Sequence, residues 1–208
     1  MLCAIVAYGP RTSDRGKAWL SPSVDVADIY DEFSFGQKSP RAVRDFLGFA
    51  KNMWKRPIKY VLLVGDASVD AKNYLGLGDF DLVPTRLIDT IFMETASDDW
   101  LADFDGDGIA ELAIGRLPAR DVSEARLLIG KILSYEQSRA AEETLLVSDR
   151  NDGLFPESHQ VMNQEFYRQV FGAHARLGDA AIKARAATSD ADARRTWVLL
   201  GDPTMKVK

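Results

Sequence analysis

Tyr60-Val61-Leu62-Leu63-Val64-Gly65-Asp66 is the stretch on which the fold turns. Five β-favouring residues in a row, with no polar alternation, describe a strand covered on both faces, and Gly65-Asp66 ends it. Such a strand needs helices around it, and the flanking sequence supplies them. Upstream, Ser39-Pro40 reads as an N-cap and first helical residue, followed by Val43, Phe46, Leu47, Ala50, Met53 and Trp54 at three-four spacing. Downstream, Asp121 with Glu124 makes a capping-box-like start to a helix through Gln137, with Ala125, Leu128, Ile129, Ile132 and Leu133 on the helical period. Leu112-Ala113-Ile114-Gly115 reads as a second buried strand, Thr144-Leu145-Leu146-Val147 as a third, and Thr196-Trp197-Val198-Leu199-Leu200 as a closing one. Helical stretches at about 157–171 and 177–187 lie between the last two. Residues 1–38 read as irregular, with Val24-Asp25-Val26 and Asp28-Ile29-Tyr30 as a short strand before a turn; the apolar start Met1 to Ala7 fits a buried strand or a cut end. The alternation predicts an α/β fold with a mainly parallel sheet and flanking helices.

Composition narrows the function classes. In 208 residues, 46% are hydrophobic, enough to bury a sizeable core. Lys and Arg number 26 against 31 Asp and Glu, a net charge of −5, and the basic residues form no stripe that would track a phosphate backbone, which argues against nucleic acid. No apolar run is long enough to span a bilayer, and Met1 to Ala7 is too short, and lacks the basic flank, for a signal peptide. The single cysteine, Cys3, excludes an internal disulfide, and the two histidines, His159 and His174, fall in or beside helical segments.

The chemistry-bearing motif runs from Asp98 to Glu111: Asp98-Asp99-Trp100-Leu101-Ala102-Asp103-Phe104-Asp105-Gly106-Asp107-Gly108-Ile109-Ala110-Glu111. Acidic oxygens at every second position around two glycines suit a hard divalent cation such as Ca²⁺. Asp103, Asp105 and Asp107 stand at loop positions 1, 3 and 5, Gly108 at 6, Ile109 (through its carbonyl) at 7 and Glu111 at 9. An EF-hand would place a bidentate Glu at position 12, where Ile114 stands, and the exit is a strand rather than a helix. The loop is therefore of a DxDxDG type that feeds a strand. An ordinary Asp/Gly turn has the same composition, but three like charges this close call for a compensating cation or protons.

Three expected strands end in a small residue and an aspartate: Gly65-Asp66, Ser148-Asp149 and Gly201-Asp202. Carboxyl ends of strands line the ligand crevice of open α/β sheets, so these carboxylates either face a site or cap the next turn. A Mg²⁺ phosphotransfer site would need a phosphate cradle, and neither GxxxxGK[ST] nor a strand-linked GxGxxG occurs. Ser68, Ser97 and Ser148 adjoin strands, but no GxSxG elbow is present and neither histidine can be assigned as a base.

Five runs, in order, together resemble the gingipain-type cysteine peptidases: Asp28-Ile29-Tyr30-Asp31-Glu32-Phe33-Ser34-Phe35-Gly36, Tyr60 through Ser68, Glu94 through Trp100, Ala113-Ile114-Gly115-Arg116-Leu117-Pro118, and Arg195 through Pro203. The resemblance covers roughly residues 24–208. It implies a caspase-like α/β catalytic domain following an irregular segment 1–23, an extracellular or cell-surface bacterial setting, protein or peptide substrates, and structural calcium. It also implies a Cys nucleophile activated by a His of a His-Gly pair, each at the carboxyl end of a strand. Here His159 precedes Gln160, His174 precedes Ala175, and Cys3 lies outside the resembling region. In the family the strands bearing this dyad fall between the parts matching Leu145 to Asp149 and Val161 to Tyr167, and only Arg150 to Gln160 occupies that interval. The expectation is an incomplete, inactive peptidase domain with an internal deletion near 150–160 and a sheet edge open to self-association. The rival expectation is a calcium-dependent structural or binding module, since the acidic loop also looks like one blade loop of an integrin-type propeller, although a propeller would repeat it.

Overall fold

The computed structural model describes residues 4–8, 22–91, 93–137 and 156–207. Strands β1 (Ala4–Tyr8) and β2 (Ser23–Asp25) precede helices α1 (Val26–Ser34) and α2 (Pro40–Met53). Next come β3 (Tyr60–Val64), the hairpin β4 (Arg86–Asp89) and β5 (Glu94–Ser97), a 3₁₀ turn at Asp99–Leu101, and β6 (Ala113–Leu117). Helix α3 (Val122–Gln137) closes that half. The remainder is α4 (Pro156–Tyr167), a π turn at Arg168–Gly172, α5 (Leu177–Ala186) and α6 (Ala191–Thr196).

The main sheet has the order β2-β1-β3-β6, and every residue of β3 and β6 is buried. Side-chain alternation along β3 explains its unbroken apolar run. Val61 and Leu63 join Ile5 and Ile114 against Val26 and Ile29 of α1 and Val43, Phe46, Leu47 and Ala50 of α2. Leu62 and Val64 point the other way, with Leu117, toward Ala125, Leu128 and Ile132 of α3. Both amphipathic helices start as their sequences predict: Ser39 Oγ accepts from Arg41 N–H at 3.2 Å, and Asp121 Oδ1 accepts from Ser123 and Glu124 N–H at 2.7 and 3.0 Å. A third cluster of Met162, Ala184 and Ala193, joined by Phe166 and Trp197, holds α4, α5 and α6 together.

Four expectations are corrected. The sheet is mixed rather than mainly parallel: β3 pairs with β6 in parallel, but β1 runs antiparallel to both β2 and β3. Parallel neighbours need a long crossover, whereas the N-terminal strand enters beside β3 with no such demand. The segment 1–38 is more regular than expected: β2 falls where the short strand was read, β1 takes the buried-strand reading of the apolar start, and α1 is an added helix. Asp28-Ile29-Tyr30 is helix rather than strand, because Val26, Ile29 and Tyr30 are buried at helical spacing and Asp25 caps the start by accepting from Ala27 N–H at 2.9 Å. Finally, Thr196 ends α6, and the expected closing strand is reduced to one bridge at Leu200. There Arg116 N–H donates to Leu199 O at 3.0 Å and Gly201 N–H to Arg116 O at 2.9 Å, a single parallel bridge along the outer edge of β6. Gly115 makes this approach possible, since a Cβ there would stand 2.3 Å from Gly201 O. The expected strand Thr144–Val147 lies outside the described residues.

Candidate functional site

The acidic loop opens from the 3₁₀ turn, whose Asp98 and Asp99 are both buried. Asp98 receives a bidentate bond from Arg116, Nε and Nη2 each at 2.7 Å, and Arg116 Nη1 donates to Gly65 O and Val83 O, also at 2.7 Å each. One buried guanidinium of β6 thus ties the loop entrance to the end of β3. Asp99 faces Arg185 of α5, whose Nη2 also donates to Trp197 O at 2.6 Å. Burial pushes the Asp99 carboxyl up to about 7 against the pull of Arg185, with Asp98 and Asp103 adding to the rise. Burial likewise lowers the Arg185 guanidinium, and Asp99 and Asp98 oppose that.

The base of the loop is closed by Glu111 N–H donating to Ala102 O at 2.9 Å. Buried Asp103 accepts Gly106 N–H on Oδ1 at 2.8 Å and Gly108 N–H on Oδ2 at 3.0 Å. Glu111 Oε2 accepts Phe104 N–H at 2.6 Å. Asp105 accepts Asp107 N–H at 3.3 Å, and Asp107 accepts Ile109 N–H at 2.8 Å. Carboxylate oxygens of Asp103, Asp105 and Glu111 lie within 4.8 Å of one another. Of the four carboxylates that the spacing assigns, the fold gathers three. The exposed Asp107 spends one oxygen on its own turn by accepting Ile109 N–H.

The strand-end aspartates diverge in role. Asp66 follows β3 and pairs with Arg120 Nε at 3.1 Å. Both line an open cleft of about 420 Å³ with Pro118, Glu124, Leu127 and Leu128, at the carboxyl ends of the parallel strands β3 and β6. Asp202 is a turn cap, its Oδ1 accepting Thr204 N–H at 2.8 Å and Thr204 Oγ1–H at 2.7 Å. Asp149 and Ser148 lie outside the described residues, as does Cys3. Ser68 Oγ accepts Asp70 N–H at 3.0 Å, and Ser97 is buried at the end of β5. His159 sits on α4, while His174 is exposed in a turn with φ of +49°. Asp98, Asp99 and Arg116 stand out in the sequence only as parts of motifs, and Arg185 does not stand out at all. A charged residue inside an otherwise apolar strand, as in Ala113-Ile114-Gly115-Arg116-Leu117, was the available signal.

These features define an α/β domain with a mixed sheet, a buried Asp/Arg network and an acidic loop leading into β6, the last strand in the sheet order. The chain matches the model of Peptidase family C25 over residues 20–159 and 151–208, and it belongs to that family, the gingipain family of cysteine peptidases. No match was found among curated proteins or among solved structures.

Proposed function

We propose that this chain is a gingipain-like cysteine endopeptidase domain without the segment that carries the catalytic His and Cys, and that it does not cleave peptides. The observation that carries this is that Pro156 to Gln160 belong to helix α4. At most Arg150 to Phe155 are then left where the family resemblance calls for two further strands. The two-part family match, meeting at residues 151–159, supports the same reading. Family membership implies protein substrates and, by resemblance, an extracellular setting and a caspase-like fold for the intact member. Among the described residues no helix is long and apolar enough to cross a membrane. The test is an electrophilic peptide ketone that alkylates activated thiolates. Labelling of the native chain no faster than of the unfolded chain is expected; rapid labelling of Cys3 in the folded state alone would contradict the proposal.

The acidic loop is proposed to hold Ca²⁺ as a structural ion. Its donors are all oxygens, the set a hard cation takes and Zn²⁺ does not prefer. Asp103, Asp105 and Glu111 would hold it, with Asp107 and the Ile109 carbonyl as the further donors that the sequence assigns. Bound there, the ion would supply charge compensation and cross-link the loop. A ligand bound only by the folded state stabilises it by about 2.7 kcal/mol at a hundredfold excess over its Kd. Thermal melts should therefore shift upward in millimolar Ca²⁺ and return with chelator, and Asp105→Ala should lose the shift; equal midpoints throughout would remove the claim. The propeller-type alternative is less favoured, because the loop feeds β6 in a sheet with helices on both faces.

A further inference from the structure

The C-terminal helices grip the acidic loop at two points. Arg194 of α6 places Nη1 3.4 Å from the carbonyl oxygen of Asp107. Its Nε donates to Thr188 O at 2.6 Å and to Arg185 O at 3.2 Å, so one guanidinium joins the loop to the end of α5. The Arg194 stem packs on Gly108, with atoms 3.6 and 3.7 Å from where a Cβ would stand, while Gly106 has nothing within 4 Å of the same position. The second grip is the buried pair of Asp99 and Arg185, just ahead of the loop.

The carbonyl held by Arg194 and the N–H of Gly108 belong to one planar peptide group. That N–H is the 3.0 Å donor to Oδ2 of Asp103. A single rigid unit therefore links Arg194 on one side to a carboxylate of the three-acid cluster on the other. Turning the peptide would break both bonds, and anything that fixes Asp103 fixes the peptide and favours the docked α6. We propose that Arg194 is a positioning residue that couples cation occupancy of the acidic loop to docking of α5 and α6. The inference rests on the calcium reading above. By reciprocity, docked helices tighten cation binding by the same factor that the cation tightens docking.

The test is peptide-resolved hydrogen exchange on the full chain, first with chelator and then with Ca²⁺ alone at millimolar concentration. Ca²⁺ should slow exchange in residues 103–111 and, by about tenfold, in 185–197. Arg194→Ala should keep Ca²⁺-dependent protection of the loop, lose that of 185–197, and bind Ca²⁺ about tenfold more weakly. Arg194→Lys keeps the charge but not the fork over three carbonyls, and should behave as Arg194→Ala does; it carries the test if the alanine variant fails to fold, protection of β3 and β6 being the check. Loop protection in the native sequence with no change at 185–197 would overturn the coupling, as would native affinity and helix protection in the folded variants. No Ca²⁺-dependent protection of 103–111 in the native sequence would overturn the calcium reading itself, and the coupling with it.

Discussion

Arg116 is buried in the central sheet with three of its guanidinium nitrogens bonded, two to Asp98 and one to a pair of carbonyls. Removing it leaves Asp98 as an uncompensated buried charge. Arg116→Ala should cost about 3–5 kcal/mol in urea unfolding, whereas a loss within 1 kcal/mol would mean that the pair is solvated. Asp99 gives a pH prediction. With its carboxyl raised to about 7 in the fold, the folded state keeps a proton that the unfolded chain releases near pH ~4. Its contribution to stability is therefore fully present below about pH 4, falls as pH rises toward 7, and is level above that. The stability difference between the native chain and Asp99→Asn should change across this window, and a difference constant from pH 4 to 8 would contradict the assignment. Neither pair was legible as chemistry in the sequence. Spacing reveals acids that are close in the chain, as at Asp103, Asp105 and Glu111, but Arg185 lies far from Asp99 in sequence, and only the packing of α5 brings them together.

Helices with a complete local signature were the most legible elements. Ser39 followed by Pro40 and a three-four apolar stripe left little else for α2 to be, and Ser39→Ala should cost about 1 kcal/mol, read as a lower midpoint with unchanged denaturant slope. Apolar runs without caps were less informative. Thr196 to Leu200 reads as a strand, yet Asp190 caps a helix that runs through Thr196 by accepting from Asp192 and Ala193 N–H at 3.0 and 3.1 Å, and Leu200 is exposed. What draws Leu199 to Gly201 onto β6 is the absent side chain of Gly115, a long-range fit that local pattern does not encode. Gly115→Ala should push this segment off the sheet edge and destabilise by about 1–3 kcal/mol, with faster exchange at Gly201 N–H. Unchanged exchange there would show that the edge relaxes around the methyl group.

At the scale of the molecule, several large apolar side chains among the described residues are exposed. Leu127, Ile129 and Leu133 of α3 are exposed, as are Val69, Tyr74, Leu75 and Leu77 in the connection between β3 and β4. Apolar surface of this kind promotes association, so sedimentation velocity should show species that grow with concentration; a single monomer across a hundredfold range would indicate that the surface is not sticky. Family membership was legible because five motif runs, falling on α1, β3, β5, β6 and the end of α6, occur in order along the chain. No Cys-His dyad was legible in the sequence, where His159 precedes Gln160, His174 precedes Ala175 and Cys3 lies outside the resembling stretch.

Turnover decides whether this C25 peptidase domain lacks the family's chemistry, as proposed. The purified chain would be incubated with Ca²⁺, reductant and a mixed library of peptides with Arg, Lys and uncharged residues at the cleavage site, beside Cys3→Ala. No turnover by either protein is expected. Turnover by the native chain that disappears in Cys3→Ala would contradict the proposal and make Cys3 a relocated nucleophile.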